Sequence, residues 1–154
     1  MSVSDYTIEI KEEVTLIALH AAPSGLGAVA DVFDDMAAAG VNIDMISQSP
    51  PQGSDAGLFF TIADRDLDKA LEVSARLRKG APGLKSAVSS GNQKLLVCGE
   101  AMRTRPGVAA TVFRAAAAAQ ADVRLITTSE VDISLLISQP DAREVADSIR
   151  DALK

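Results

Sequence analysis

The chain has 154 residues, of which 47% are hydrophobic and 23% are charged, a composition typical of a globular protein. Its net charge of -6 and its 3% of aromatic residues argue against nucleic-acid binding, which relies on cationic side chains for phosphates and on aromatic rings for bases. No apolar run approaches the ~18 residues of a membrane span, and the acidic N-terminus lacks the basic start of a signal peptide.

The first half of the chain carries the pattern of alternating strands and helices. Apolar and polar side chains alternate over Tyr6–Lys11, which is the period of a half-buried strand. A β-branched apolar run follows, and apolar residues three and four apart then predict a helix that ends at Gly40. Pro50 and Pro51 mark a turn between two strands of a hairpin. The predicted elements after the N-terminal strand are the strands 14–20, 42–48, 58–62 and 84–89 and the helices 26–39 and 66–79.

The second half repeats the first. Residues 27–33 and 107–113 coincide at four positions with an offset of 80, and the same offset aligns 41–47 with 121–127. A period of this length is too long for a solenoid repeat and indicates a duplicated small domain. The elements predicted here are the strands 94–98, 123–129 and 132–138 and the helices 107–119 and 141–153.

The elements predicted in the second half lack the last strand of the β-α-β-β-α-β order. An unpaired sheet edge favours aggregation, so we expect the N-terminal strand to complete the second sheet. The sequence therefore predicts an α+β fold of two interleaved ferredoxin-like βαββαβ modules. The expected boundaries are 12–91 for the first module and 92–154, together with strand 5–11, for the second.

A ligand site is predicted at the glycine-containing turn before the first helix. Free backbone N–H groups at a helix N-terminus bind anions such as an α-carboxylate, and Gly27 and Gly107 carry no Cβ to obstruct the approach. The following strand offers Asn42 and Asp44, which bind an ammonium group. A zwitterionic amino acid has this pair of complementary ends.

Three segments carry a resemblance to a known family. The turn Met102-x-x-x-Pro106-Gly-Val-Ala and the segment 125–137, which contains Thr-Ser-Glu, resemble the second ACT module of aspartate kinases. Residues 39–46, Ala-Gly-Val-Asn-Ile-Asp-Met-Ile, resemble a strand of the first module of the same regulatory region. The resemblance also implies an interleaved N-terminal strand.

The function that this resemblance implies is regulatory. It implies an amino-acid-binding module with lysine or threonine as the feedback effector of lysine and threonine biosynthesis, assembled as a homodimer and associated with a kinase catalytic subunit. Because the kinase domain of that family is expected to lie outside this chain, we expect no catalytic residue and no cofactor. Whether the chain is a separate subunit, an excised domain or a freestanding homologue stays open.

The resemblance places the effector between the first module of one chain and the second module of another. Three positions depart from the family pattern: Ser24 replaces an acidic residue, Leu26 replaces a proline, and Asp122 replaces a common asparagine. These changes rearrange the contacts to the ligand, so the identity of the effector and the retention of binding stay open. The residues implied are Ser24, Gly27, Val29, Val41, Asn42 and Gln48 in the first module and Asp122 and Val123 in the second.

Two other interpretations stay open at this point. The segment Gly25–Ala30 fits the dinucleotide fingerprint G-x-G-x-x-A, with Asp44 near the position of its acidic residue, which suggests a nicotinamide-dependent enzyme. The altered turn also suggests a ligand-free dimerisation module. One histidine and one cysteine give no cluster for a metal, and a single cysteine cannot form an internal disulfide, so we expect no metal and a cytoplasmic location.

Overall fold

The computed structural model describes residues 5–21, 25–52, 55–138 and 140–154. Short 3-10 turns at Asp64–Asp66 and Glu100–Arg103 precede the second and third α-helices. Within the described residues, no helix is long and apolar enough to cross a membrane. The strands are β1 (Thr7–His20), β2 (Ile46–Gln52), β3 (Asp55–Ala63), β4 (Lys85–Cys98), β5 (Val123–Thr128) and β6 (Asp132–Ser138), and the helices are α1 (Leu26–Ala38), α2 (Leu67–Gly80), α3 (Val108–Ala118) and α4 (Ala142–Ala152).

The chain divides into two compact units, and both long strands contribute to each. The first unit is Glu13–Ser90, and the second unit combines the N-terminal residues up to Glu12 with Gly91–Lys154. Both boundaries fall at residues with positive φ, Glu13 at 58° and Gly91 at 70°. Since a positive φ interrupts regular extended backbone, β1 and β4 are each divided there into two stretches.

Each unit has the strand order of a ferredoxin-like sheet. The order is β2-β3-β1-β4 in the first unit and β1-β4-β6-β5 in the second. The pairs β1–β3, β2–β3, β4–β6 and β5–β6 are antiparallel. The predicted α+β fold of two interleaved βαββαβ modules is confirmed, including the N-terminal strand that completes the second. This antiparallel arrangement is incompatible with the parallel sheet of a dinucleotide-binding fold.

Two predicted strand pairs are single strands in the structure. The segments 6–11 and 14–20 form β1, and the segments 84–89 and 94–98 form β4. The sequence prediction divided each of these strands in two, at the residues where the apolar pattern is interrupted. That interruption marks the passage of the strand from one unit to the other rather than a turn.

Each unit has its own apolar core between its helices and its sheet. In the first unit, Val32 and Met36 of α1 lie against Ile17 and Phe60, and the partly buried Val29 packs on the same cluster. This is the helix face that the spacing of apolar residues predicts. In the second unit, Val145 and Ile149 of α4 and Val112 of α3 pack on Leu95 and Leu135.

Gly99 fixes the docking of the N-terminal strand in the second unit. A Cβ at this position would lie 2.5 Å from the carbonyl oxygen of Asp5 and 2.6 Å from Cδ1 of Tyr6. Tyr6 is 8% exposed, and Asp5 forms an ion pair with Arg105 at 3.2 Å. The close approach of Asp5 and Tyr6 to the end of β4 therefore requires glycine.

We expect Gly99→Ala to destabilise the protein by about 1–3 kcal/mol, because overpacking forces backbone or ring displacement. Urea unfolding measures the loss, and amide exchange should accelerate at Thr7 and Ile8. Gly83→Ala is the matched control, since a Cβ at Gly83 meets no atom within 4 Å. Equal stability of the two variants would contradict this account of strand docking.

Candidate functional site

Among the described residues, no side chain caps the backbone donors at the start of α1. Its N-cap is Gly25, which has no side chain for capping, and the carbonyl oxygen of Gly25 accepts the N–H of Val29 at 3.2 Å. The N–H groups of Leu26, Gly27 and Ala28 precede this first intrahelical bond, and the first turn contains no acidic residue. These donors and the helix dipole favour a bound anion. Ser24 lies outside the described residues.

Gly27 leaves an open space beside these donors. It is exposed, and a Cβ at this position would meet no atom of the described residues within 4 Å. Its φ is not positive, whereas Gly107, at the corresponding position before α3, has φ of 91°. Glycine is therefore a conformational requirement at 107 but not at 27. The folded chain itself does not require glycine at 27, and the open side is available to a ligand.

The strand after α1 begins later than the sequence predicts. Residues 41–45 are irregular and β2 starts at Ile46, so the prediction of a strand from residue 42 was wrong. The cause is the buried Thr61, whose Oγ1 accepts the N–H of Met45 at 2.9 Å. The Thr61 N–H donates to the Met45 carbonyl at 3.0 Å, and the Thr61 carbonyl accepts the Asp44 N–H at 3.1 Å. These bonds replace the regular ladder.

The structure does not bring Asn42 to the start of α1. The N–H of Val41 donates to the carbonyl of Met36 at 3.0 Å, which places Val41 and Asn42 at the C-terminal end of this helix. A helix of 13 residues is about 20 Å long, so Asn42 and Gly27 lie too far apart for one small amino acid. Within one copy of the chain, Asn42 therefore lies at the other end of α1 from the turn, and its role in ligand binding stays a prediction.

Asp44, like Asn42, lies far from the start of α1. Its N–H donates to the carbonyl of Thr61, which pairs with Leu16, four residues before the end of β1. Four residues of strand are about 13 Å. Asn42 and Asp44 are both exposed, while the Val41 side chain is 4% exposed and belongs to the core.

Gln48 is the predicted strand residue that lies level with the turn. It is exposed and pairs with Leu58, which pairs in turn with Leu19 near the end of β1. Two strand spacings, about 10 Å, separate Gln48 from Leu19 across this sheet. The sheet register thus places Gln48 opposite the end of β1 that leads to α1, and its contact with a ligand there stays a prediction.

In the second unit, Asp122 is already paired. Its Oδ2 accepts from Arg124 Nη2 at 2.6 Å and from Ser138 Oγ at 3.3 Å, and the Asp122 and Arg124 side chains are about half exposed. Val123 begins β5, and its half-buried side chain packs on the core. Sequence reasoning missed Arg124. Its position two residues after Asp122, on the same face of a strand, was the available signal.

Other site chemistries receive no support from the described residues. They contain no group of three or more His, Cys, Asp or Glu side chains that could hold a metal ion. In the second unit, the turn Glu100–Arg103 is stabilised by Arg103, which forms ion pairs with Glu100 at 2.9 Å and with Glu130. The backbone donors at α1 are thus the principal candidate for ligand binding.

Comparison with known proteins identifies the family. Residues 22–79 and residues 95–153 each match a family model of the ACT domain. The chain belongs to the ACT-domain family. The two ACT matches fall one in each half of the chain, as the internal repeat requires.

The ACT pair is similar to regulatory parts of aspartate kinases. The regulatory subunit of aspartate kinase from Thermus thermophilus, in its ligand-free form, is 27% identical, with a TM-score of 0.86 over 96% of this chain and 97% of that one. Aspartate kinase from Synechocystis is also 27% identical, with a TM-score of 0.87 over 95% of this chain and 26% of that one. The likeness to the regulatory subunit thus extends over nearly the whole of both chains.

The curated relatives are longer proteins. Aspartokinase 2 of Bacillus subtilis is 25% identical over 96% of this chain and 36% of its own length. The aspartokinase of Mycolicibacterium smegmatis is 32% identical over 91% of this chain and 33% of its own length. The chain thus spans about a third of the curated relatives that it matches.

We expect Thr61→Val to cost about 1–3 kcal/mol, because it leaves the buried N–H of Met45 without an acceptor. The loss is measured by urea unfolding, and exchange of the Met45 amide should accelerate. Thr61→Ser keeps the hydroxyl and serves as the control for this bond. If the valine variant is as stable as the serine variant, Thr61 does not hold the segment 41–45.

Proposed function

We propose that the chain binds a free amino acid of the lysine or threonine type and so regulates an aspartate kinase catalytic subunit. The observation that carries this proposal is the N-terminus of α1 at Gly27, which no side chain of the described residues caps and where a Cβ would meet none of their atoms within 4 Å. A ligand α-carboxylate accepts from the free N–H groups there. The similarity to regulatory subunits of aspartate kinase supports the choice of catalytic partner.

The remaining contacts of the effector come from polar groups level with the turn. The Gln48 carboxamide has an oxygen that accepts from the ligand ammonium. Ser24 and Val29 stay in the proposed site through the resemblance alone. Within one copy of the chain, Val41, Asn42 and Asp44 lie at the other end of α1 from Gly27 and are left out of this pose.

A second copy of the chain closes the proposed site with Asp122 and Val123. Because Arg124 neutralises Asp122, this wall offers the ligand little net negative charge. That arrangement disfavours a second ammonium group and ranks threonine above lysine as the effector. The homodimer is part of the proposal, since ACT edge strands are suited to pairing between copies.

Regulation follows if the effector prefers one arrangement of the dimer. A ligand shifts a conformational equilibrium only by its difference in affinity for the two states. The same coupling free energy then links effector binding and the catalytic subunit. Binding of the effector is proposed to lower the activity of the kinase partner.

Threonine or lysine should raise the melting temperature selectively within a panel of the twenty amino acids. A ligand at about 100 times its dissociation constant adds roughly 2.7 kcal/mol, which corresponds to several degrees for a chain of this size. Differential scanning fluorimetry measures the shift. Equal melting with every amino acid would contradict the proposal, and a shift with NAD alone would support the dinucleotide interpretation.

Gly27→Ala should abolish that shift without loss of stability. Its Cβ meets no atom of the described residues, and alanine favours the helix by up to about 1 kcal/mol, but the methyl group stands where the carboxylate approaches. Gly83→Ala should keep both stability and the shift. An unchanged ligand response in Gly27→Ala would remove the start of α1 as the site.

The second candidate function is a ligand-free dimerisation module. Ile46 on the edge strand β2 is 48% exposed, and Ile126 on the edge strand β5 is 45% exposed, which favours pairing with another copy. Ile46→Lys should reduce the dimer fraction in analytical ultracentrifugation, with Lys85→Ala, at an exposed residue, as the control. A wild-type chain that is monomeric at tens of micromolar would contradict both dimeric proposals.

A further inference from the structure

A cavity of about 280 Å3 in the first unit lies between α1, α2 and the sheet. Its floor is apolar, since Leu19, Val32 and Leu84 are each at most 5% exposed. Asp31 of α1 and Arg76 of α2 stand at its rim and are exposed. The cavity thus combines a buried apolar floor with one acidic and one basic group on different helices.

The two rim charges are not used by the fold. Among the described residues, neither the Asp31 side chain nor the Arg76 side chain forms a hydrogen bond or an ion pair. Elsewhere on the helices, Arg150 pairs with Asp147 at 2.7 Å and Lys69 pairs with Asp66 at 3.4 Å. Two opposite, unpaired charges beside an apolar cavity complement a molecule with a carboxylate, an ammonium group and an apolar chain.

The second unit differs at the corresponding position. Leu84 precedes β4 in the first unit as Tyr6 precedes β1 in the second, and the Tyr6 ring lies against Gly99. The groove beside Tyr6 includes Arg150, which is paired with Asp147, and the described residues that line it include no acidic residue. The duplicated module therefore has an apolar cavity with two free charges in its first copy only, as far as the described residues extend.

We propose that this first-unit cavity binds an α-amino acid with an apolar side chain of about four carbons, as in leucine or isoleucine. The side chain lies on Leu19, Val32 and Leu84, the carboxylate pairs with Arg76 and the ammonium group pairs with Asp31. The volume is near the lower end of small-molecule sites, about 300 Å3, which suits an amino acid. This site faces the α1–α2 side of the unit and adjoins the proposed effector site at Ala28, but its charged contacts, Asp31 and Arg76, are not part of that site.

Methyl NMR of the intact chain tests the proposal. L-leucine and L-isoleucine should cause saturable shifts of the methyl groups of Leu19, Leu77 and Leu84. The probes 4-methylpentanoate, without an ammonium group, and 3-methylbutylamine, without a carboxylate, should bind at least about tenfold more weakly, since each lacks one charge-assisted contact. Absence of saturable shifts, or equal binding of 4-methylpentanoate, would overturn the assignment.

Charge variants have matched controls on the same helices. Arg76→Gln and Asp31→Asn should each weaken leucine binding at least about tenfold. Arg78→Gln and Asp34→Asn change exposed residues outside the cavity lining and should leave it unchanged. Equal affinity across the four variants would refute the roles of the two rim charges.

A blocking variant separates occupancy of the cavity from damage to the fold. Gly80 lines the cavity, and a Cβ there meets no atom within 4 Å, so Gly80→Leu should fold and fill the entrance. Gly83→Leu, at a similarly open position outside the lining, is the control. Leucine binding retained by Gly80→Leu would overturn the proposal. Gly27→Ala should leave leucine binding intact, which distinguishes this site from the effector site.

Discussion

The pairing of β1 with β4 is the constraint on which both units depend. Each strand gives one stretch to the first unit and one to the second, so neither unit is complete without both strands. In the first unit the buried Thr15 fixes this pairing, because its hydroxyl donates to Asp64 at 2.5 Å and lies 3.0 Å from Ser90 Oγ. In the second, Gly99 permits the approach of Tyr6. Loss of either contact disturbs a strand that both units share.

The proposed ligand chemistry follows from what this framework leaves unsatisfied. The backbone groups of the strands are hydrogen-bonded in antiparallel ladders, whereas the first N–H groups of α1 have no intrahelical acceptor. At the other end of the same helix, Val41 bonds to the last turn of α1 and Thr61 bonds to Asp44 and Met45. These hydrogen bonds hold Asn42 away from the turn. The duplicated modules thus share a fold but differ in charge: Arg124 of the second stands at the repeat position of Asp44 of the first.

The periodicity of apolar residues was sufficient to predict the fold. The spacing of Val29, Val32 and Met36 identified the core face of α1, and the repeat offset of 80 identified the duplication. Side-chain hydrogen bonds were not predictable in this way. Thr61 delays the start of β2 through a contact 16 residues away in sequence, and Arg124 neutralises Asp122 through a rotamer that periodicity does not specify. The expected fold was therefore right where local pattern decides, whereas long-range contacts set the start of β2 and the partner of Asp122, and the expected site residues stay a prediction.

The most direct test of the central claim is a titration of the 15N-labelled chain with threonine and with lysine, followed by amide NMR. The account predicts saturable shifts centred on the amides of Leu26, Gly27 and Ala28 and on the Gln48 side-chain amide, with threonine the stronger ligand. Shifts at no amide, or shifts confined to Asn42 and Asp44 at the far end of α1, would contradict amino-acid recognition at the start of this helix.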